Sequence, residues 1–301
     1  MGGIGQPVRR IWLNHYAKEN FVVNLAYVIA GSEATGGAGL QADLKTFQQM
    51  GVYGIGTVTC IVSFDPSGGW QHRFHPIPPE VIGQQIEAAT AAHDLDVVKV
   101  GMLGTPATID QVARSLRTQA WRHVVVDPVL ICKGQEPGAA LDTDRALRAQ
   151  ILPLATVVTP NNFEARVLAG MAELSGVEDL IEAGRRIVAE LAGAGGGLAG
   201  PRAVVVKGGV DLPGDQAIDV LVEADPDSGT VTHQVFSAPK IGQARVSGAG
   251  CTFAAAITAA LAQGAAMSDA VATAKRYVTQ GIAARVHAHT PFDTVWQGAF
   301  S

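Results

Sequence analysis

The sequence predicts a single α/β domain built on a mostly parallel sheet with helices on both faces. Its 301 residues are within the range that one α/β domain commonly occupies. Short β-branched segments alternate with segments of helical periodicity, and repeated strand–helix–strand units form a parallel sheet covered on both faces. No linker separates two cores, since the Gly/Ala-rich stretch Ala192–Pro201 is short enough to be a surface loop.

The predicted strands are short and rich in Val and Ile. The first follows Arg9, Arg10 and Lys18, an arrangement that a signal peptide also shows. We favour a buried strand, because the segment leads into a Gly-rich turn and a helix and is too short to cross a bilayer. The predicted strands are Val22–Ala30, Ile55–Val62, Val97–Val100, His123–Val126, Thr156–Val158 and Ala203–Lys207, followed by a hairpin of Ala217–Val222 and Thr230–Phe236.

Helical periodicity fills most of the segments between the strands. The predicted helices are Gln41–Met50, Pro79–Ala92, Thr108–Gln119, Thr143–Ile151, Phe163–Ala169, Val177–Leu191, Ala249–Gln263 and Met267–Val286. We therefore predict an N-terminal extension at residues 1–20, the domain itself at residues 21–290 and a C-terminal tail at residues 291–301.

Composition excludes several classes of protein. The net charge is −5, and no run of five Lys or Arg provides the basic surface that nucleic-acid binding needs. The three cysteines, Cys60, Cys132 and Cys251, form no CxxC pair, so disulfides and a structural zinc site are not expected. Reduced thiols are typical of a cytoplasmic protein. We expect a small-molecule partner and neither a nucleic acid nor a membrane.

One glycine motif suggests a dinucleotide site. Gly37–Ala42 matches G-x-G-x-x-A between a strand and a helix. However, about six residues separate the motif from the strand, where a tight turn is required. No acidic residue follows at the required offset of about 20 residues, and Asp65 lies too far along the chain to serve. The dehydrogenase hypothesis is therefore weak, and these glycines more plausibly let the backbone approach a ring-shaped substrate.

The strongest chemical motif is Ser247-Gly248-Ala249-Gly250-Cys251-Thr252, a small-residue loop that leads into an apolar helix. The unpaired N–H groups and the helix dipole at such a point favour an anion, as in phosphoryl transfer. A thiol at a helix N-terminus is expected to have a lowered pKa, so Cys251 could accept a proton from a substrate hydroxyl. Alternatively, Cys251 is a small buried residue at a helix–sheet contact.

Three further signals lie where predicted parallel strands end, which is where ligands bind in such sheets. Asn161 and Glu164 have the spacing of a capping box, and Glu164 would also bring a carboxylate to a magnesium–phosphate complex. Asp127 and the Lys207-Gly208 pair end neighbouring strands, although each could belong to an ordinary turn. There is no G-x-x-x-x-G-K-[ST] loop and no G-x-S-x-G motif.

Taken together, these motifs resemble those of the hydroxymethylpyrimidine/phosphomethylpyrimidine kinases of the ribokinase superfamily, and the resemblance spans about residues 23–287. The pyridoxal/pyridoxine kinase branch, which has two active-site cysteines, is more similar. The segments that carry the resemblance are Ala30–Ser32, Gly36–Lys45, Asp65-Pro66 with Trp70 and His72, Lys99–Leu103, Asp127–Gly134, Thr159–Ala165 and Gly248–Phe253. The resemblance implies a ribokinase-like three-layer α/β/α fold.

The resemblance also implies site residues and cofactors. Cys251 would be the base and Gly248, Ala249 and Gly250 the anion hole. Cys132, on a mobile lid, would add to the aldehyde of pyridoxal. Gly31, Asp43, Phe64 and Met102 would lie near the substrate ring. Asn161, Glu164, Lys207, Gly208 and Lys133 would bind ATP, with Asp127 and Glu164 serving Mg²⁺. A homodimer is also implied.

Two departures from the pyrimidine kinase pattern bear on the substrate. Phe64 stands where those kinases have a Gln that hydrogen-bonds the aminopyrimidine edge, and a Phe cannot make that bond. Ser247 stands where the family often has His. We therefore expect a kinase for the 5-hydroxymethyl group of pyridoxal, pyridoxine or pyridoxamine. The alternatives are a hydroxymethylpyrimidine kinase, as sole or second activity, and a non-catalytic pyridoxal-binding protein.

Overall fold

The computed structural model describes residues 23–130, 137–193, 202–225 and 227–300. In these ranges nine strands form one sheet of order β3-β2-β1-β4-β5-β6-β7-β8-β9. The strands are β1 (Leu25–Glu33), β2 (Tyr53–Asp65), β3 (Gln71–Pro76), β4 (Val97–Val100), β5 (His123–Val126), β6 (Val157–Val158), β7 (Arg202–Lys207), β8 (Gln216–Ala224) and β9 (Val231–Pro239). From β2 to β7 neighbouring strands pair in parallel, which confirms the predicted mostly parallel sheet.

Helices cover both faces of the sheet, as predicted. They are α1 (Gly39–Gln49), α2 (Pro79–Ala92), α3 (Pro106–Leu116), α4 (Pro137–Gln150), α5 (Asn162–Leu168), α6 (Val177–Gly193), α7 (Ala249–Ala262) and α8 (Met267–Ala283). One core lies between the sheet and α2 to α6, and a second lies between the sheet and α1, α7 and α8. Together the sheet and the two helical layers form a three-layer α/β/α domain.

Strand β1 is apolar from Leu25 to Ala30, and both faces of this part are buried. Tyr27 and Ile29 pack into one core, while Val28 and Ala30 pack into the other. Successive side chains of a strand point to opposite faces, so a strand between two helical layers buries apolar residues on both faces. Burying a side chain the size of Ile or Val stabilises the fold by about 1.5–3 kcal/mol.

Helix α7 packs closely against the sheet because its side chains are small. Ala254, Ala255 and Ala256 are fully buried, with Phe253 and Ile257 on either side of them in sequence. The helix contacts α1 and α8 beside it, and β1, β4 and β5 beneath it. This packing fixes the N-terminus of α7 over the edge of the sheet where the parallel strands end.

Strand β3 was missed by the sequence analysis. It pairs antiparallel with β2, and most of its residues are exposed. The sequence Gln71–Pro76 is polar except for Phe74, so it has no alternating apolar pattern to reveal it. The late hairpin, in contrast, is confirmed as β8 and β9, which also pair antiparallel.

The C-terminal residues pack on the domain. Val295 and Gln297 are buried, and the ring of Phe300 lies 4.8 Å from that of Tyr277 in α8. This segment was predicted as a tail, and the domain limits at residues 20 and 290 stay predictions.

Among the described helices, none has both the length and the apolar character needed to cross a membrane.

Candidate active site

Polar residues from three neighbouring strands meet at the carboxyl edge of the sheet. Asp127 follows β5, Asn161 follows β6 and Lys207 ends β7. Lys207 Nζ lies 2.9 Å from Asp127 Oδ1, and Asn161 forms a parallel bridge with Lys207. Thr159 Oγ1 also donates to Asp127 Oδ1, at 3.3 Å. The strand-end residues singled out in the sequence are therefore brought together.

Burial and the neighbouring ammonium groups shift the pKa values of the two carboxyl groups at this edge. Burial pushes the pKa of Asp127 upward, but the ammonium groups of Lys207 and Lys99 outweigh it and hold that pKa below its usual value. Burial raises the pKa of Glu164 to about 7, although Lys207 opposes the rise. Asp127 is thus ionised at neutral pH, whereas Glu164 is close to its titration midpoint.

Asn161 and Glu164 form the predicted capping box at the start of α5. The Asn161 side chain accepts from the Glu164 N–H at 2.9 Å, and Glu164 Oε2 accepts from the Asn161 N–H at 2.8 Å. Both residues also line the cavity described below. The capping role therefore coexists with a place in the site.

Helix α7 brings its N-terminus to the same edge. Gly248 is the N-cap residue and has a φ of 79°, which favours glycine. A Cβ there would lie 1.9 Å from the Gly37 carbonyl oxygen, so no side chain fits. The first N–H groups of a helix have no partner within it, and those of Gly250 and Cys251 belong to this first turn. A Cβ on Gly250 would lie 3.3 Å from Lys207 Nζ, which shows how near the helix start is to that ammonium.

Cys251 is a free thiol in the first turn of α7. The expectation of a lowered pKa is wrong: burial raises the pKa of Cys251 to about 11, against the opposing effect of the Lys99 ammonium. Asp43 and Asp127 add to the rise, while the Gly39 N–H, which hydrogen-bonds the sulfur, lowers it. The position at a helix N-terminus is as predicted, but burial could not be seen in the local motif.

A buried ion pair lies beneath this thiol. Lys99 Nζ of β4 is 2.8 Å from Asp43 Oδ2 of α1, and both side chains are fully buried. Burial raises the pKa of Asp43 to about 6, with Lys99 acting against it. Burial disfavours the charge on Lys99, but the Asp43 carboxylate and the charges beyond it raise the pKa of Lys99 overall. The Oδ1 atom of Asp43 is buried and has no hydrogen-bond partner within the described residues.

Lys99 is a site residue to which the sequence analysis gave no role. A lysine within the valines of Val97–Val100 was the available signal, because a buried ammonium must be paired. Lys275 was missed as well: it lies 2.8 Å from Asp219, and both line the cavity.

The predicted ring-binding residues are only partly brought together. A Cβ on Gly31 would lie 2.6 Å from Cys60 Sγ and 3.0 Å from Met102 Cε, so Gly31 and Met102 are neighbours. Phe64 lies at the end of β2 and packs against His72 of β3, with ring centroids 4.6 Å apart. Phe64 thus belongs to the β2–β3 hairpin rather than to the buried cluster around Asp43.

Gly208 was predicted to bind ATP. Its N–H donates to the Ile218 carbonyl oxygen at 2.8 Å and to Asp219 Oδ1 at 3.2 Å. The N–H is therefore used within the protein, and it is Gly209 that lines the cavity. Cys132 and Lys133, the predicted lid residues, lie outside the described residues.

A cavity of about 460 Å³ joins these groups. Its walls are the strand-end residues, the first turn of α7 and a further wall from α8 and the loop before α7. Its lining includes Asp127, Asn161, Glu164, Lys207, Gly250 and Cys251. These six residues place an ammonium, two carboxylates and helix N–H groups around one space, which suits a polyphosphate and a reacting hydroxyl.

The described carboxylates fit Mg²⁺ in one specific way. No group of three or more His, Cys, Asp or Glu within the described ranges could hold a metal ion. Mg²⁺ commonly uses one or two carboxylates together with phosphate oxygens and water. Asp127 and Glu164 both line the cavity and provide such a donor set, so they suit a metal that arrives with a nucleotide.

Comparison with known proteins gives consistent results. The model of the phosphomethylpyrimidine kinase family matches residues 33–295. The chain is 42% identical over 257 residues to the pyridoxine kinase of Bacillus subtilis, covering 85% of this chain and 89% of that protein. It is 35% identical over 262 residues to the hydroxymethylpyrimidine/phosphomethylpyrimidine kinase of Haemophilus influenzae, covering 86% and 91%.

Solved structures show the same relationship. The pyridoxal kinase of Bacillus subtilis, in an ADP complex, superposes with a TM-score of 0.82 at 39% identity, covering 92% of this chain and 98% of that one. The pyridoxal kinase of Staphylococcus aureus, in complex with AMP-PCP and pyridoxal, gives 0.79 at 35% identity, covering 92% and 94%.

Proposed function

The chain belongs to the phosphomethylpyrimidine kinase family, and we propose that it transfers the γ-phosphoryl group of ATP to the 5-hydroxymethyl group of pyridoxal, pyridoxine or pyridoxamine. The observation that carries the proposal is that Cys251, Lys207 and Asp127 line one cavity at the carboxyl edge of the sheet. A proton acceptor and a phosphate-binding cation in one cavity are the two groups that such a transfer needs most.

In this proposal Lys207 and the N–H groups of Gly250 and Cys251 hold the charge on the γ-phosphoryl oxygens. The substrate hydroxyl oxygen forms a bond to the γ-phosphorus as the bond to the β-γ bridging oxygen breaks and ADP leaves. The thiolate of Cys251 accepts the hydroxyl proton. Because its pKa is about 11, the thiolate is a minor species at neutral pH, and the Lys99 ammonium favours it.

Mg²⁺ would be held by Asp127 and Glu164 together with the nucleotide phosphates, where its chemistry is to neutralise charge on the β- and γ-oxygens. Lys207 keeps the Asp127 carboxylate ionised. The capping-box bond from the Asn161 N–H fixes the orientation of the Glu164 carboxylate.

The choice of a B6 vitamer rests on Phe64 and on the relatives. A Phe cannot donate or accept the hydrogen bonds that would read an aminopyrimidine edge. The relative from Bacillus subtilis, at 42% identity, is a pyridoxine kinase. A second candidate is hydroxymethylpyrimidine kinase activity in the same site, favoured by the family model and by the relative from Haemophilus influenzae.

Further parts of the proposal rest on the resemblance alone. Cys132 and Lys133 would lie on a lid that closes over the substrates and excludes water, with Cys132 adding reversibly to the aldehyde of pyridoxal. The protein would act as a homodimer in the cytoplasm, where its free thiols Cys60 and Cys251 stay reduced. The kinase domain would comprise residues 21–290.

The experiment that tests the proposal is ADP release from MgATP with pyridoxal, pyridoxine and hydroxymethylpyrimidine compared side by side. Preference for the pyridines supports it. Preference for hydroxymethylpyrimidine means that the second candidate, hydroxymethylpyrimidine kinase activity, is the function of the site. Binding of pyridoxal without ADP release identifies a non-catalytic binding protein instead.

A further inference from the structure

The C-terminal segment Asp293–Gln297 is bonded to the loop that precedes α7. The Ser247 N–H donates to the Asp293 carbonyl oxygen at 2.8 Å, and the Val295 N–H donates to the Ser247 carbonyl oxygen at 3.1 Å. Ser247 and Thr294 thus form a parallel bridge. Both backbone groups of Ser247 are held by residues close to 50 positions further along the chain.

Gln297 extends this connection into the first turn of α7. Its Nε2 atom donates to Thr252 Oγ1 at 3.1 Å, and both side chains are buried. Thr252 directly follows Cys251, and its own N–H donates to the Gly248 carbonyl oxygen at 2.8 Å. The Gln297 backbone is in turn held by Tyr277 of α8, whose hydroxyl donates to the Gln297 carbonyl oxygen at 2.7 Å.

Thr294 links the same segment to the glycine loop at the start of α1. A Cβ on Gly37 would lie 2.9 Å from Thr294 Cγ2 and from Thr294 Oγ1, so the two residues are in direct contact. The Gly37 carbonyl oxygen in turn fills the space where Gly248 would carry a side chain. On the other side Glu33 accepts from the Gly37 N–H at 3.0 Å and the Ala38 N–H at 3.2 Å.

We propose that Asp293–Gln297 is a positioning segment, in which Gln297 and Thr294 hold the Gly248–Cys251 turn at the spacing that phosphoryl transfer requires. The inference rests on the proposed function and adds residues to it that the motif does not contain. Donors to a developing oxyanion act over a narrow range of distance, and an error of about 1 Å can cost on the order of 100-fold in rate. Gly248, Ala249 and Gly250 have no polar side chains to fix that distance, so neighbouring segments must help to supply it.

The test uses Gln297→Met in the full chain, because Met keeps the size of Gln and removes the hydrogen bond to Thr252. The matched control is Gln49→Met. Gln49 donates from Nε2 to the Phe300 carbonyl oxygen at 3.0 Å, a bond to the chain just beyond the segment Asp293–Gln297. Each variant therefore loses one hydrogen bond from a glutamine side chain, and only Gln297→Met loses the bond to the first turn of α7.

Two readouts are compared at a temperature where circular dichroism shows all variants folded. We expect Gln297→Met to lower kcat on the order of 10-fold, with less than about a twofold change in KM for ATP and for the vitamer, and Gln49→Met to match the wild type. Hydrogen exchange of the peptide covering Ser247–Thr252 should be faster in Gln297→Met only. Wild-type kcat together with unchanged exchange in Gln297→Met overturns the positioning role.

The exchange measurement does not need turnover, so it separates failure of this inference from failure of the proposed function. If the wild type releases no ADP but hydrogen exchange is faster in Gln297→Met than in the wild type, the kinase assignment is wrong and the positioning contact is supported. If Gln297→Met does not fold, Thr294→Ala, which removes both of the side-chain atoms that contact Gly37, provides the same two readouts. Full activity and unchanged exchange in that variant count against the proposal.

Discussion

Lys207 Nζ lies 2.9 Å from Asp127 Oδ1 at the carboxyl edge of the sheet, although 80 residues separate them in the chain. Side-chain exposure is 12% for Lys207 and 6% for Asp127, so each charge depends on the other for compensation. This pair is central to the proposed nucleotide site, because the same ammonium that keeps Asp127 ionised also faces the cavity.

Removing the ammonium should affect both binding and stability. We expect Lys207→Met to raise KM for ATP at least 10-fold and to lower the free energy of unfolding by about 3–5 kcal/mol, because Asp127 is left buried and unpaired. Urea unfolding measures the stability change. Adding Asp127→Asn should restore stability without restoring activity. The exposed pair Arg186–Glu182 provides the control: Arg186→Met should cost less than about 1 kcal/mol.

Loss of the Cys251 thiol should stop transfer while leaving nucleotide binding in place. Cys251→Ala removes the proton acceptor but keeps the N–H groups of the α7 turn and Lys207. We expect kcat to fall on the order of 100-fold or more, with the Kd for ADP changed less than about threefold, as measured by isothermal titration. Turnover at the wild-type rate in Cys251→Ala ends the assignment of this residue as the base.

The raised pKa of Glu164 predicts a pH dependence of Mg²⁺ use. Because this pKa is about 7, the carboxyl group is mostly protonated at pH 6 and mostly ionised at pH 8. Mg²⁺ binds the ionised form, so its apparent affinity in the presence of ATP should increase as pH rises through 7. Glu164→Gln, which keeps an oxygen for the capping-box bond, should bind Mg²⁺ more weakly and lose this dependence. An unchanged pH profile in the variant removes Glu164 from the metal site.

Phe64 should set the preference between a pyridine and a pyrimidine. Phe64→Gln introduces a group that can hydrogen-bond an aminopyrimidine, and we expect the ratio of kcat/KM for hydroxymethylpyrimidine over that for pyridoxal to rise about 10-fold, the effect of about 1.4 kcal/mol. Phe64→Leu is the control, since it also removes the ring but adds no hydrogen-bonding group. An equal change of the ratio in both variants means that the ring alone decides specificity.

Cys132 should contribute to the phosphorylation of pyridoxal, which has an aldehyde group, and not to that of pyridoxine, which has an alcohol in its place. Only pyridoxal can add a thiol to form a hemithioacetal, so Cys132→Ala should lower kcat/KM for pyridoxal several-fold more than for pyridoxine. Steady-state kinetics on the two vitamers measures this, with pyridoxine as the internal reference. Equal losses on both substrates remove the covalent role.

Most of the fold was predictable, because the buried strands are mostly apolar and the helices between them have clear periodicity. Strand β3 was missed, since it is exposed and polar and lies at the edge of the sheet. The meeting of Asp127, Asn161 and Lys207 followed from the rule that parallel strands end at one edge.

What the sequence could not predict depends on burial and on distant contacts. The pKa of Cys251 is raised by burial, which outweighs the Lys99 ammonium and the Gly39 N–H that lower it. Lys99 pairs with Asp43 across 56 residues, and no local motif records that pairing. The contact of Gln297 with Thr252 is equally remote from any motif, in a segment that sequence alone assigned to a tail.

Phosphoryl transfer to a B6 vitamer can be followed in the product itself. The purified protein is incubated with MgATP and pyridoxine, and ³¹P NMR and mass spectrometry follow the phosphorus. We expect pyridoxine 5′-phosphate and ADP to form in equal amounts, and Cys251→Ala to form neither at a comparable rate. The proposed function is wrong if ADP accumulates with free phosphate and no phosphorylated vitamer, or if a phosphorylated product forms only with hydroxymethylpyrimidine.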